Sequence, residues 1–453
     1  MDAPTVFFLH ALGMSGREWR HVVAGFPSAW RCVPLDLPGF GDNADLGHAP
    51  LEGLVAWTSA QIKSLQPSSW VVVGHSMGGK VASLVAARAA AGEAGLAGCM
   101  GVALVAASPP SPEPMDESRR ATMIGWFANG AIGTDDAEAF LDANTAQALG
   151  DNDHDVALSD LQRTHPAAWI GWLEEGSRED RTDDVGSLPF PAVIIAGADD
   201  GDLGEPAQGR LNAPHYPKNA IRVIRHAAHL MPLEQPVALT DVLVRHLRSM
   251  FDKRLPCAFV ELLNSPRVTT DERARLVARH HAVAPSTPML ERAARDTLHA
   301  VVSQVLGGHG DARDIACRVE ATLSGHGDGW RFAELPPDRD AWQNALATLD
   351  RWAGGVAGLS AERQSTWLKG LVEGDVVDRH EEGSDDLSLP QMHRWFEDAR
   401  TEIVRTWLSL PSTWARIGYD GFALGGDRTP LAGYVETTAD TLEPWQRDMQ
   451  ACR

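Results

Sequence analysis

Val71-Val72-Val73-Gly74-His75-Ser76-Met77-Gly78-Gly79-Lys80 is the stretch whose reading decides the fold. Three consecutive β-branched residues predict a short buried strand. An alanine-rich helical run, Val81 to Ala91, comes next. The Gly-x-Ser-x-Gly pentad therefore sits at a strand-to-helix turn, the context that gives it chemical meaning. Gly74 and Gly78 leave room where a Cβ would clash. The turn lifts the Ser76 hydroxyl above the sheet, and the helix N-terminus behind it favours nearby negative charge. The same pentad occurs in ordinary Gly-rich loops; the strand before it and the helix after it make Ser76 a candidate nucleophile.

Outward from this turn the chain alternates strands and helices. Thr5 to Leu9, Trp30 to Leu35, Gly101 to Ala107, Pro191 to Gly197 and Ala220 to Arg225 read as strands. Leu51 to Leu65 and Pro236 to about Met250 read as helices. This rhythm predicts an α/β domain over residues 1–250, a mostly parallel sheet with helices on both faces. Between 113 and 187 the strand signal stops, and short amphipathic helices carry Trp126, Phe127, Phe140, Leu141, Trp169 and Trp172. The stretch is too long for one crossover and predicts an inserted helical lid.

A serine hydroxyl needs a base to take its proton and a third group to orient that base. The chain offers both in the order Ser, acid, His. Asp200, just past the strand ending at Gly197, is the preferred acid, with Asp199 and Asp202 as rivals. His229 is the preferred base over His226, because it lies farther past the last strand and ahead of a Pro-opened helix. An oxyanion needs two donors; the backbone N–H groups of Met77 and Leu12 are the candidates. His10 and the lid residues Trp126, Trp169 and Trp172 are candidate substrate contacts, although the tryptophans suit a lid core equally well.

These residues resemble the α/β-hydrolase superfamily, closest to its single-chain esterase, lactonase, perhydrolase and C–C hydrolase branch. The matching pieces are Phe8-Leu9-His10 with Ser15-Gly16-Arg17-Glu18-Trp19; Asp36-Leu37-Pro38-Gly39-Phe40-Gly41; Gly74 to Gly79; Gly197 to Asp200; and His229 with Glu234-Gln235-Pro236. The resemblance implies an α/β-hydrolase fold, a Ser76–His229–Asp200 triad and an acyl-enzyme. Ala11 and Ala228 stand where the family usually has Gly. Serine rather than aspartate at position 76 argues against a dehalogenase or an epoxide hydrolase.

Residues 251–289 read as a linker with lead-in helices, including Ala284-Pro285-Ser286-Thr287-Pro288, and residues 290–453 as a mostly helical domain. No nucleotide loop or clustered metal ligands appear there. This half resembles gluconate 2-dehydrogenase subunit 3 over about 290–447, through Thr297 to Val302, Leu359 to Gln364, Ile417-Gly418-Tyr419-Asp420-Gly421, Gly433-Tyr434 and Glu443-Pro444-Trp445. That resemblance implies a companion of a flavin-dependent dehydrogenase, without catalytic residues of its own.

The net charge of -21 argues against nucleic acid or an anionic membrane as partner. Five scattered cysteines suggest neither a disulfide framework nor a zinc site. No leader or spanning run is read, so a cytoplasmic location is expected, and neither a metal nor a cofactor is called for. The expected function is a serine hydrolase acting on an ester or lactone, tethered to a module that docks on a flavoprotein dehydrogenase. A non-catalytic accessory subunit and a C–C bond hydrolase using the same triad are the alternatives.

Overall fold

A computed structural model of the chain describes residues 3–281, 289–323, 332–379, 385–422, 425–427, 429–430 and 441. The chain divides into two compact units, residues 1–281 with 420–453, and residues 282–419. The first is built on a six-stranded parallel sheet: β1 (Thr5–Leu9), β2 (Arg31–Leu35), β3 (Trp70–His75), β4 (Cys99–Val105), β5 (Ala192–Gly197) and β6 (Asn219–Ile224), in the order β2-β1-β3-β4-β5-β6. β1, β3, β4 and β5 are buried along their whole length, as continuous apolar runs covered on both faces must be. Alternation along the strands divides the core: Phe7, Leu9 and Val72 pack on one face, and Val6, Phe8, Val71 and Val73 on the other.

The register aligns Leu9 with Gly74 and His75 with Val105, so the carboxyl ends of β1, β3 and β4 open side by side. Helix Met77–Ala90 starts directly beyond β3. A Cβ on Gly78 would lie 2.6 Å from the Leu9 carbonyl oxygen. Only glycine lets the first turn of this helix approach β1 so closely.

The segment between β4 and β5 holds the helices Glu117–Gly125, Thr134–Asn144, Asp151–Arg163 and Pro166–Gly171. Trp169 is its centre, stacked on Phe127 at 4.7 Å with its indole N–H donating to the Met123 carbonyl. At the base of this insertion Glu113 N–H donates to Ser177 O and Arg181 N–H donates to Pro110 O, each at 2.8 Å. The fully buried Lys80, on the helix that follows Ser76, donates from Nζ to the carbonyls of Ser111 (3.3 Å) and Glu179 (2.5 Å), one on each side of that neck. Burial, opposed only in part by Glu113, Glu179 and Asp180, lowers the Lys80 ammonium to about 8. The folded protein then gives up this proton before the unfolded chain does, so stability rises with pH between about 8 and the ordinary lysine value. Wild type is expected to gain on Lys80→Met over that window by up to ~1.4 kcal/mol per pH unit, read from urea midpoints at several pH values. Parallel curves would show that the pinned ammonium does not titrate there.

Helices Cys257–Asn264 and Thr270–His281 belong to the first unit. Asn264 Oδ1 accepts from the N–H groups of Gly95 and Ala97, and the buried Arg273 donates to the carbonyls of Gly92 and Val268. The stretch read as linker is thus clasped to the α/β domain by polar side chains as far as residue 281. The second unit contains the helices Arg292–Leu306, Ala312–Leu323, Asp338–Ala353, Ala361–Glu373, Leu389–Leu408 and Pro411–Ile417. Trp342 and Trp395 meet edge to face at 5.7 Å in its core. Ala284 to Pro288, Gly433-Tyr434 and Glu443-Pro444-Trp445 lie outside the described residues. Among the described residues no helix is long and apolar enough to cross a membrane.

Candidate active site

Ser76 occupies the one-residue turn between β3 and the helix that follows, at φ +50° and ψ −119°. A non-glycine residue there stores roughly 1–3 kcal/mol of backbone strain. The turn is held by Ser76 N–H donating to Val105 O (3.0 Å) and by Ser76 O accepting from the N–H groups of Gly79 (2.8 Å) and Ser108 (3.0 Å).

Three side chains from three loops meet above the sheet. Ser76 Oγ lies 2.8 Å from His229 Nε2, and His229 Nδ1 lies 2.9 Å from Asp200 Oδ2. Asp200 Oδ1 accepts from the N–H groups of Asp202 (3.0 Å) and Leu203 (2.9 Å). Burial works against the Asp200 carboxylate, but His229 and these two N–H donors prevail and hold it down to about 2. The acid is therefore ionised at neutral pH, and His229 Nδ1 must be the donor toward it. That tautomer leaves Nε2 free to accept the Ser76 proton. Burial opposes the protonated form of His229, yet the Asp200 hydrogen bond and charge, with Glu113 beyond, raise its pKa above the ordinary value.

Asp199 and His226 are exposed, and Asp202 is ion-paired with Arg119 of the inserted helices. None of the three reaches the Ser76 hydroxyl through the chain of bonds just described.

A cavity of about 170 Å³ opens beside Ser76 and His229. Leu12, Met115, Met123, Phe140 and Trp172 supply its apolar wall; Glu113, Arg119, Asp199 and Asp202 its polar side. Met77 is the first residue of its helix, where an N–H has no intrahelical acceptor. Of the four proposed substrate contacts, Trp172 lines this cavity. Trp126 packs against Phe140 and Trp169, and Trp169 is wholly buried, so both belong to the core of the insertion. His10 lies outside the cavity as well. Its Nδ1 donates to Ala11 O (2.8 Å) and its Nε2 accepts from Leu37 N–H (3.0 Å), which leaves the buried ring nothing to offer a substrate.

Several contributors were not singled out in the sequence. Asn144, the last residue of an inserted helix, accepts through its carbonyl from the N–H groups of His229 and Leu230. Glu234 accepts from Ala228 N–H at 2.9 Å and from Ala146 N–H at 2.5 Å, tying the His229 loop to the insertion. Its place in Glu234-Gln235-Pro236 was the available signal. Among the described residues no cluster of three or more His, Cys, Asp or Glu side chains could hold a metal ion.

The family model described as Alpha/beta hydrolase family matches residues 6–242. Among curated relatives, the 2-succinyl-6-hydroxy-2,4-cyclohexadiene-1-carboxylate synthase of Klebsiella pneumoniae is 35% identical over 89 residues, 20% of this chain and 35% of that protein. The pimeloyl-[acyl-carrier protein] methyl ester esterase of Aeromonas hydrophila is 33% identical over 85 residues, 19% of this chain and 33% of that protein. The chain thus spans about a third of the length of these curated relatives. Among solved structures, a thermophilic esterase from Thermogutta terrifontis aligns with 55% of this chain and 90% of its own, at TM-score 0.45 and 19% identity.

Proposed function

This chain belongs to the alpha/beta hydrolase family, and we propose that it is a serine hydrolase cleaving a carboxylic ester or a lactone through an acyl-enzyme. The observation that carries this reading is the unbroken line Ser76 Oγ, His229 Nε2, His229 Nδ1, Asp200 Oδ2, opening into a lined cavity. His229 takes the Ser76 proton as Oγ attacks the carbonyl carbon, and the Leu12 and Met77 N–H groups receive the oxyanion. As the tetrahedral intermediate collapses, His229 returns the proton to the leaving alkoxide. Water repeats the sequence on the acyl-Ser76 ester and releases the acid.

The small cavity, walled by Met115, Met123, Phe140 and Trp172, suits a compact acyl group or a lactone ring. The esterase among the relatives supports the ester class. For residues 290–447 the resemblance to gluconate 2-dehydrogenase subunit 3 supports a docking role on a flavoprotein dehydrogenase. A tethered hydrolase would then meet released lactone at high local concentration.

The test is titration of the full chain with a fluorophosphonate, followed by an ester, aldonolactone and vinylogous-diketone panel. One probe per chain, bound at Ser76, and turnover of an ester or lactone are expected. Faster turnover of aldonolactones than of acyl esters is expected if the two halves share a pathway; equal rates would remove that link. A diketone preference would turn the reading to C–C hydrolysis. A folded chain that takes no probe would leave the accessory-subunit reading standing.

A further inference from the structure

We propose that Glu18 and His75 form a buried positioning pair that couples the loop carrying Leu12 to the backbone of His229. This rests on the reading of Ser76 as nucleophile. The pair joins residues far apart in sequence: Glu18 follows β1, and His75 ends β3 directly before Ser76. Their side chains are 1% and 0% exposed. His75 Nδ1 lies 3.0 Å from Glu18 Oε1, and His75 Nε2 donates to the His229 carbonyl oxygen at 2.8 Å. The same Glu18 Oε1 accepts from the Ala11 N–H at 3.3 Å. The two imidazole rings, of His75 and His229, stand 5.3 Å apart.

The protons follow from these partners. A carbonyl oxygen only accepts, so His75 Nε2 carries hydrogen. Glu18 Oε1 also accepts from the Ala11 N–H, and one proton bridges it to His75 Nδ1. Such a pair, buried inside apolar surroundings, adds little to stability that well-packed hydrophobic residues would not. Glu18 Oε2 is buried without a hydrogen-bond partner among the described residues, which raises the cost further. What the pair does supply is position. Through Ala11 it fixes the residue before Leu12; as His75 it is the residue before Ser76; and through the carbonyl it holds His229. The oxyanion donors, the nucleophile and the base are thereby referred to one rigid bridge. Glu18 and His75 touch no reacting atom, so they act through those that do.

The conservative variants separate position from mere packing. In the full chain, His75→Asn keeps an N–H toward Glu18 but is too short to reach the His229 carbonyl. His75→Gln places its amide N–H nearer that carbonyl and gives up Glu18. The second-order rate of fluorophosphonate labelling at Ser76 is expected to fall about 10²-fold in His75→Asn. His75→Gln is expected to recover about tenfold or more of that loss. Glu18→Gln, which keeps size but removes the charge, is expected to lower kcat on the accepted ester with KM unchanged. Labelling of both His75 variants at the wild-type rate, or equal slowing of both, would overturn the bridge while leaving the nucleophile in place. A misfolded His75→Asn passes the decision to Glu18→Gln, whose unchanged kcat would overturn it too. Wild type that takes no probe would overturn the Ser76 reading, and the bridge with it.

Discussion

Ser76→Ala is expected to lower kcat by on the order of 10⁶-fold while leaving KM and the thermal midpoint close to wild type. The alanine keeps the Cβ, so the strained turn at φ +50° and its backbone bonds to Val105, Gly79 and Ser108 are retained. The substitution deletes one side-chain hydrogen bond, Ser76 Oγ to His229 Nε2. A bond of that kind contributes only ~1 kcal/mol net to folding. Chemistry loses far more, because Ser76 supplies the one hydroxyl or thiol among the described residues that line the cavity, and without it water must attack unaided. The residual rate would report the oxyanion donors and binding alone. Burst and steady-state kinetics on an ester, with loss of fluorophosphonate labelling, check this. A variant that keeps more than a hundredth of the wild-type rate would show that another group attacks.

The fold was legible in the sequence because its signals are local. Val71-Val72-Val73 and the apolar runs of β1, β4 and β5 had to be buried strands, and the Gly-x-Ser-x-Gly turn fixed which ends carry the loops. Chain order then put Ser76, Asp200 and His229 on loops at the same edge, after β3, β5 and β6, since in a parallel sheet all carboxyl ends open on one edge. Other features were not legible. Glu18 and His75 meet only once β1 and β3 are paired, and neither side chain differs in sequence from a surface residue. His10 looks like a loop ligand until both ring nitrogens are seen bonded to backbone. Trp126, Trp169 and Trp172 share one pattern because a helix of the insertion has two apolar destinations, its own core and the cavity; periodicity does not distinguish them. Arg273 was not singled out in the sequence, yet it is buried and donates to the carbonyls of Gly92, Ser265 and Val268. Polar groups that pair over long sequence distance leave no periodic trace.

Asp200→Asn is expected to lower kcat by about 10⁴-fold without displacing the loop. The N–H groups of Asp202 and Leu203 would still require an oxygen at the Oδ1 position, so the amide nitrogen must turn toward His229. A nitrogen that donates forces His229 Nδ1 to accept. The imidazole then carries its hydrogen on Nε2, aimed at Ser76, and it has no lone pair there to take the hydroxyl proton. The pH dependence supplies an independent sign. In wild type the His229 pKa is raised, with burial opposed and overcome by Asp200 and Glu113. The rate should therefore climb with pH through a midpoint above the ordinary imidazole value, as His229 loses its proton and becomes a base. Removing the Asp200 charge takes away the strongest attraction that favours the protonated ring while leaving burial, which disfavours it. The remaining activity of Asp200→Asn should thus titrate at lower pH than wild type. A profile of kcat/KM between about pH 5 and 9 for both proteins decides it. A midpoint that stays in place, or moves upward, would mean that Asp200 does not set the proton on His229, and that the acid must be sought elsewhere in the loop.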